Sequence, residues 1–181
     1  EDPESRLNSL IEAYSPIPTG IESIDALLGG GLIPTQFTLL SANSGGGKSL
    51  MLANIGANYA QAGYDVVYLS LELEASMIFL RLASIISGMD ASNWKAHIPE
   101  ISAGILKNKN NNGSYLLKRL PQGSTATDIL SYLSYYEMEY DKRPDVILID
   151  YLDLMHPNGG VKNIGVHEQD KQKAEEVVEI L

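Results

Sequence analysis

The sequence predicts an α/β fold in which a mostly parallel β-sheet carries helices on both of its faces. Short apolar segments alternate along the chain with longer segments of helical periodicity, which is the pattern of repeated strand–helix–strand units. Residues 146–149 are apolar at every position, as in a parallel strand that is buried on both faces. A glycine-rich turn at residues 45–47 joins a predicted strand to a predicted helix. These three observations indicate the α/β class.

The segment before the glycine-rich turn is predicted to contain two short helices and one strand. Residues 6–14 place apolar side chains at helical spacing, and two prolines that follow end this helix. Residues 21–28 form a second short helix, which stops at three successive glycines. Residues 36–40 are predicted to be a buried strand that leads into the turn.

The middle of the chain continues the alternation. Residues 48–62 are predicted to be a helix, residues 65–69 the next strand, and residues 76–87 a further helix. Residues 91–107 are expected to be helical in part, with Pro99 and Gly104 as interruptions.

After the middle region, a polar run at residues 107–113 predicts a surface loop or the tip of a hairpin. Residues 115–119 are predicted to be a short strand of exposed character. Thr125 to Asp128 is typical of the N-terminal cap of a helix, which we expect to reach about Tyr140.

The ends of the chain indicate a piece of a longer protein. Residues 156–166 are polar and contain glycine, which predicts a loop. A last helix begins at Glu168 and reaches the final residue without a glycine or proline that would end it. The first residue, Glu1, is not an initiator methionine. We therefore expect further segments beyond both ends.

Composition excludes several classes of protein. A hydrophobic share of 44% and a charged share of 20% are close to globular averages, which excludes disordered and fibrous chains. The net charge of −10 argues against a protein that binds nucleic acid over its whole surface, but it does not exclude a small basic loop. The absence of cysteine excludes disulfides and thiolate metal sites. The absence of cysteine also fits a reducing cytosol, so we expect a cytoplasmic protein. No apolar run approaches the roughly 20 residues that cross a bilayer, so we expect no membrane partner.

Residues 42–49, Ala-Asn-Ser-Gly-Gly-Gly-Lys-Ser, carry the clearest chemical signal. They fit the phosphate-binding P-loop pattern, with Ala42 in place of its first glycine. Glycines allow backbone N–H groups to crowd around phosphate oxygens, and the helix that follows adds partial positive charge. Lys48 can then reach the β- and γ-phosphates of ATP or another nucleoside triphosphate, and the Ser49 hydroxyl can bind Mg²⁺. A plain glycine-rich linking turn is the alternative. The predicted nucleotide-binding residues are Ser44, Gly45, Gly46, Gly47, Lys48, Ser49 and Leu50.

Two acidic residues follow predicted strands. Asp150 comes directly after residues 146–149 and is predicted to support the Mg²⁺ ion together with Ser49, the alternative being a cap for the next turn. Glu72 ends the strand that follows the P-loop helix, where strand ends line the ligand crevice. It is the predicted catalytic base for the attacking water, and Glu74 is the competing candidate.

Several segments resemble the DnaB-type hexameric replicative DNA helicases, which have a RecA-like P-loop NTPase core. Residues 18–31 resemble the opening segment of RecA-fold ATPases. Residues 70–73, followed by Arg81, resemble the second motif of the helicases, and residues 149–155 resemble their Walker B segment. The resemblance covers most of residues 16–181, and it is closer to a bacteriophage-encoded member than to a bacterial one.

This resemblance implies a hexameric ring that hydrolyses a nucleoside triphosphate between subunits, moves along single-stranded DNA and separates the duplex. By matching position, Lys48 and Ser49 bind phosphate and Mg²⁺, Glu72 is the catalytic base, and Asp150 supports the metal. The implied cofactors are ATP or another nucleoside triphosphate and Mg²⁺. The implied partners are single-stranded DNA, a primase and a helicase loader, in the host cytoplasm if the protein is phage-encoded.

The resemblance also divides the chain and leaves parts of the family pattern outside it. Residues 1–15 resemble a linker helix, and residues 16–181 resemble the ATPase domain. We expect the last strands of the core, the arginine finger and the principal DNA-binding loops after residue 181. Arg81 matches a family position, with a helix salt bridge as its structural alternative. Lys162 and Asn163 are candidate DNA contacts, with a solvated loop as theirs.

Two other function classes stay open at this point. One is a different RecA-fold ATPase, such as a RadA- or KaiC-like recombinase or regulator, and the other is a nucleotide-binding module that does not hydrolyse. The motifs at residues 70–72 and 149–155 favour the helicase. A clock-type regulator more often carries adjacent acidic residues at the strand end, whereas Glu72 and Glu74 are not adjacent.

Overall fold

The computed structural model describes residues 2–108, 113–160 and 165–179, and the chain divides into two compact units, residues 1–43 and 44–181. The helices are α1 (Pro3–Ala13), α2 (Glu22–Leu27), α3 (Lys48–Gln61), α4 (Ala75–Ser87), α5 (Ile98–Asn108), α6 (Ala126–Tyr140) and α7 (Val166–Glu179), and the strands are β1 (Asp65–Ser70), β2 (Ser114–Arg119) and β3 (Val146–Asp150). Short 3₁₀ helices occupy Ala91–Ala96 and Leu152–Leu154. None of the helices in these ranges is long and apolar enough to cross a membrane.

The first unit contains α1 and α2, both of which confirm the prediction. A carboxylate, Asp25, accepts hydrogen bonds from the Thr19 backbone N–H and hydroxyl, both at 2.7 Å, and from the Gly20 N–H at 3.1 Å. Burial alone would raise the pKa of Asp25, but these hydrogen bonds outweigh it and lower that pKa. Ile17 and Leu32 form an antiparallel bridge, so their backbones close the intervening segment into a loop.

The predicted strand at residues 36–40 is wrong for this structure. The segment is assigned to no strand, and the Leu39 side chain is 61% exposed. An apolar run becomes a strand only when a neighbouring strand accepts and donates its backbone hydrogen bonds. Among the described residues, no strand pairs with this segment.

The second unit is organised by a parallel sheet in the order β2–β1–β3, which helices flank. The central strand β1 is inaccessible to solvent from Val66 to Ser70, so both of its faces are covered. The register pairs Ser70 with Arg119 on one side and with Asp150 on the other. The carboxyl ends of all three strands therefore meet at one edge of the sheet, and the predicted α/β fold is confirmed.

The helix α3 lies against the sheet at a close approach that a glycine allows. A Cβ atom on Gly56 would come within 2.7 Å of the Leu148 side chain on β3 and of the Tyr115 ring and hydroxyl on β2. Ala53 and Ala57 are also fully buried. Small side chains therefore hold α3 close to the strands, which fixes where its first residue stands relative to the sheet.

The region between β1 and β2 is more helical than predicted. The expected interruption at Gly104 is wrong, because α5 continues through this residue, and Pro99 lies in the first turn of α5, where proline is tolerated. A Cβ atom on Gly104 would lie 2.8 Å from the Cβ atom of Ser87, the last residue of α4. The glycine thus serves the packing of α5 on α4 and does not break the helix.

The C-terminal half agrees with the prediction in most elements. Thr125 and Asp128 form a capping box at the start of α6, as predicted. The strand β3 is less buried than predicted, since only two of its five residues, Leu148 and Asp150, are buried. In the described part of the chain, β3 pairs on one side only, with β1, which leaves its other residues half-buried.

Asp65, the first residue of β1, joins the amino ends of the three strands. Its carboxylate accepts hydrogen bonds from the Ser114 hydroxyl and from the Lys142 ammonium at 2.6 Å, and its backbone N–H donates to the Asp145 carboxylate at 2.8 Å. Burial would raise the pKa of Asp65, but the hydrogen bonds from Lys142 and Ser114 outweigh it and lower that pKa below its ordinary 3.8.

We predict that Asp65→Asn lowers the free energy of unfolding by about 1–2 kcal/mol at pH 7. Because the folded-state pKa of Asp65 is lowered, its contribution is present above pH 3.8 and is lost as the pH falls through the folded-state pKa. Urea unfolding of wild type and variant from pH 7 to pH 2.5 should show the difference shrinking at low pH. Glu139→Gln on the exposed surface of α6 is the control, and a difference that grows on acidification would contradict the assignment.

Candidate nucleotide-binding site

A glycine-rich turn leads directly into the N-terminus of α3 at Lys48. Gly45 and Gly47 have φ angles of 74° and 86°, a left-handed conformation that favours glycine. A Cβ atom at either position would meet nothing within 4 Å, so the space in front of the turn is open. Among the described residues, no side chain caps α3, so its N–H groups and dipole favour an anion at this point. Residues 44–50, which the sequence predicts for nucleotide binding, comprise this turn and the first residues of α3, and their arrangement fits a phosphate chain.

The Ser49 hydroxyl and the Asp150 carboxylate meet at the edge of the sheet. Ser49 Oγ donates a hydrogen bond to Asp150 Oδ1 at 3.0 Å, and Asp150 is fully buried. A hydroxyl and a carboxylate oxygen are ligands that suit Mg²⁺, which takes few protein ligands and completes its shell with phosphate and water. The described residues contain no cluster of three or more acidic or histidine side chains that could hold a metal alone. The donor set therefore fits an Mg²⁺ ion that binds together with a nucleotide.

A buried tyrosine, Tyr68, contacts the other oxygen of Asp150. Its hydroxyl donates a hydrogen bond to Asp150 Oδ2 at 2.7 Å. Burial, followed by the charge of Asp150, raises the pKa of Tyr68, so the phenol keeps its proton and acts as a donor. Tyr68 is not among the residues that the sequence predicts for the site. The strand register that puts Tyr68 and Asp150 on one face of the sheet would have been needed to find it.

The Lys48 ammonium lies over the ring of Tyr151, with its Nζ atom 5.2 Å from the ring centroid. This distance is within the range of a cation–π interaction. Burial, followed by the negative charge of Glu72, raises the pKa of Tyr151. Tyr151 therefore contacts the lysine at the start of α3 and lies within the electrostatic influence of the predicted catalytic base, and it is not among the residues that the sequence predicts for the site.

The two candidate bases, Glu72 and Glu74, follow β1 and have different surroundings. The Ser70 hydroxyl bonds to the Leu73 backbone in both directions, at 2.9 Å each, which closes the turn that carries Glu72. Glu72 is exposed and makes no ion pair among the described residues. Glu74, in contrast, forms an ion pair with Arg119 at the end of β2. Both carboxylates are exposed to water, and Glu72 differs in making no ion pair in the described ranges, which favours it as the proton acceptor; its role stays a prediction.

The remaining candidates are not joined to this cluster by a direct contact. Arg81 is half-buried on α4 and makes none of the ion pairs found in the described ranges, so the alternative of a helix salt bridge is not observed. Its charge acts on Tyr68, where it opposes the rise in the pKa. Lys162 and Asn163 lie outside the described residues.

The sequence model of one protein family matches nearly the whole chain. The family is described as the DnaB-like helicase C-terminal domain, and the match covers residues 16–181.

Two kinds of curated relative are similar to the chain. The DnaB-like replicative helicase of Enterobacteria phage T4 is 25% identical over 165 residues, which cover 85% of this chain and 34% of that protein. The DNA repair protein RadA of Mycobacterium tuberculosis is 41% identical over 84 residues, which cover 45% of this chain and 18% of RadA. The chain thus spans a minor part of either relative. Since the RadA match is partial, it does not favour the recombinase alternative.

Solved structures agree with this result at the level of the fold. A DnaB-like replicative helicase, described with its interactions with primase, matches 99% of this chain with a TM-score of 0.76 at 20% identity, and the match covers 46% of that chain. A second solved structure, described as an ATPase domain, matches 99% of this chain with a TM-score of 0.75 at 20% identity, covering 67% of that chain. The predicted RecA-like core is therefore confirmed.

We predict that Lys48→Ala weakens the binding of a fluorescent ATP analogue about 10-fold or more, because the variant removes a positive charge beside the phosphate turn. Lys118→Ala is a matched control, since this lysine also lies over a tyrosine ring, that of Tyr132, at 5.4 Å. The control should bind the analogue as the wild type does. Equal affinities for all three proteins would contradict the assignment of the turn.

Proposed function

The chain belongs to the DnaB-like helicase C-terminal domain family, and from this premise we propose that it is the ATP-hydrolysing motor domain of a replicative DNA helicase. In this proposal the motor moves along single-stranded DNA and separates the duplex. The observation that supports it most directly is the 3.0 Å contact between Ser49 and Asp150 beside the open glycine turn. This contact brings the two predicted metal ligands together at the site where the turn fits phosphate.

Each site residue has a distinct proposed role in hydrolysis. The backbone N–H groups of the turn and Lys48 bind the phosphate oxygens and offset their charge. Ser49 and Asp150 hold the Mg²⁺ ion, which when bound neutralises charge that develops on the phosphates. Glu72 orients the attacking water and accepts its proton. Its exposed position at the same strand edge suits this role, because the carboxylate is not engaged by an ion pair in the described structure.

The proposed partners follow from the family and from the openness of the site. The glycine turn faces open space and Glu72 is exposed, which supports a site that a neighbouring copy of the chain completes. We therefore propose a homo-hexameric ring that binds ATP, Mg²⁺ and single-stranded DNA and works in the cytoplasm with a primase and a helicase loader. The net charge of −10 favours DNA contact through a restricted surface.

We predict that Glu72→Gln in the full-length protein lowers the ATP turnover number about 10²-fold while ATP binding is retained, because the amide cannot accept the proton of the water. Glu74→Gln is the matched control. It removes the ion pair with Arg119 and should lower turnover much less. If Glu74→Gln causes the larger loss, the base has been assigned to the wrong carboxylate.

The motor function is tested with the full-length protein on a forked DNA duplex. We expect ATP hydrolysis that single-stranded DNA stimulates, and strand displacement that requires ATP and is abolished by Lys48→Ala. Filament formation with pairing of strands would indicate a recombinase. Nucleotide binding without hydrolysis in any assembly state would indicate a binding module.

A further inference from the structure

We propose that Tyr68 is a positioning residue that fixes the orientation of the Asp150 carboxylate at the Mg²⁺–nucleotide site. The inference rests on the proposed function, because Tyr68 bonds to Asp150, which that function makes an Mg²⁺ ligand. The Tyr68 hydroxyl bonds to Asp150 and is not among the groups proposed to bind phosphate. It acts on the metal only through Asp150.

Both oxygens of the Asp150 carboxylate accept a hydrogen bond from a side chain. Ser49 Oγ donates to Oδ1 at 3.0 Å, and Tyr68 Oη donates to Oδ2 at 2.7 Å. One donor lies in the first turn of α3 and the other in the central strand of the sheet. With a donor on each oxygen, the carboxylate cannot rotate about its Cβ–Cγ bond without breaking a hydrogen bond. Without the tyrosine hydroxyl, the serine would be the one side-chain donor left among the described residues.

The hydrogen bond between Tyr68 and Asp150 lies in the interior of the protein. Tyr68 and Asp150 are both 0% exposed. Since water does not reach the pair from the core side, no solvent molecule can replace the tyrosine hydroxyl as a donor without repacking. Removal of a group that hydrogen-bonds a metal ligand commonly lowers metal affinity or activity about 10- to 100-fold.

A neighbouring buried tyrosine, Tyr115, makes no hydrogen bond to Asp150 in the described structure. Tyr115 stacks on Tyr68 with ring centroids 6.3 Å apart and an interplanar angle of 26°. Its hydroxyl is buried but has no hydrogen-bond partner in the described structure. The two rings therefore share their packing role, and they differ in that only the Tyr68 hydroxyl is bonded to Asp150. Removal of each hydroxyl in turn separates positioning from packing.

The experiment compares Tyr68→Phe and Tyr115→Phe in the full-length protein. Both variants keep the aromatic ring, so both should fold, and thermal unfolding without Mg²⁺ verifies this. The Mg²⁺ concentration that gives half-maximal binding of a fluorescent ATP analogue is measured for each, together with the same midpoint for ATP hydrolysis. We expect Tyr68→Phe to raise both midpoints about 10-fold, with binding of the analogue in the absence of Mg²⁺ unchanged. Tyr115→Phe should leave both midpoints at the wild-type value.

A second comparison distinguishes positioning from general stability. In an Asp150→Asn background, Tyr68→Phe should not change the Mg²⁺ midpoint for analogue binding further, because the tyrosine acts through the carboxylate. The assignment is overturned if Tyr68→Phe and Tyr115→Phe behave alike, or if Tyr68→Phe shifts the midpoint equally in both backgrounds. Wild-type nucleotide binding that does not respond to Mg²⁺ would overturn the proposed function as well. A Mg²⁺-dependent wild type with an unshifted Tyr68→Phe variant would overturn the role of Tyr68 alone.

Discussion

The hydrogen bond between Ser49 and Asp150 is the constraint on which the arrangement of the second unit depends. The two residues are 101 positions apart in the chain, yet their side-chain oxygens stand 3.0 Å apart. This approach requires α3 to lie close to the sheet, which Gly56 allows, and β3 to run parallel to β1. If α3 packed differently on the sheet, or if β3 paired differently with β1, Ser49 Oγ and Asp150 Oδ1 would be separated. The proposed ligand set for Mg²⁺ would then be lost.

A buried carboxylate is stable in a protein only when donors replace the water that it has lost. Asp150 obtains one donor from the start of α3 and one from the middle of β1, and neither of its oxygens is left without a hydrogen bond. The same interactions that satisfy the carboxylate also hold it in one orientation. The hydrogen bonds that stabilise the buried carboxylate are therefore the same ones that would orient it in the proposed Mg²⁺ site, as hydrogen-bonded ligands are in many metal sites.

The edge of the sheet also separates chemically similar side chains by their surroundings. Glu72 and Glu74 lie two positions apart and are both exposed, but Arg119 forms an ion pair with Glu74, whereas Glu72, on the turn closed by Ser70, forms none among the described residues. Backbone bonds at this edge, such as that from the Leu71 N–H to the Asp150 carbonyl at 2.7 Å, couple the turn to the end of β3. In this member of the DnaB-like helicase C-terminal domain family, the edge therefore joins the proposed phosphate-binding turn to the proposed base.

The sequence by itself determined the features whose physical cause is local. Helical periodicity, the capping box at Thr125 and the glycine-rich turn before Lys48 each depend on neighbouring residues, so helices α1 to α7, the three strands and the turn itself could be predicted in outline. Only the tertiary structure decided the features that depend on distant partners. Residues 36–40 are apolar but find no strand to pair with in the described chain. Tyr68 reaches Asp150 because the register pairs it with Leu148, two residues before Asp150 and on the same face of the sheet, and register is set by packing across the whole sheet.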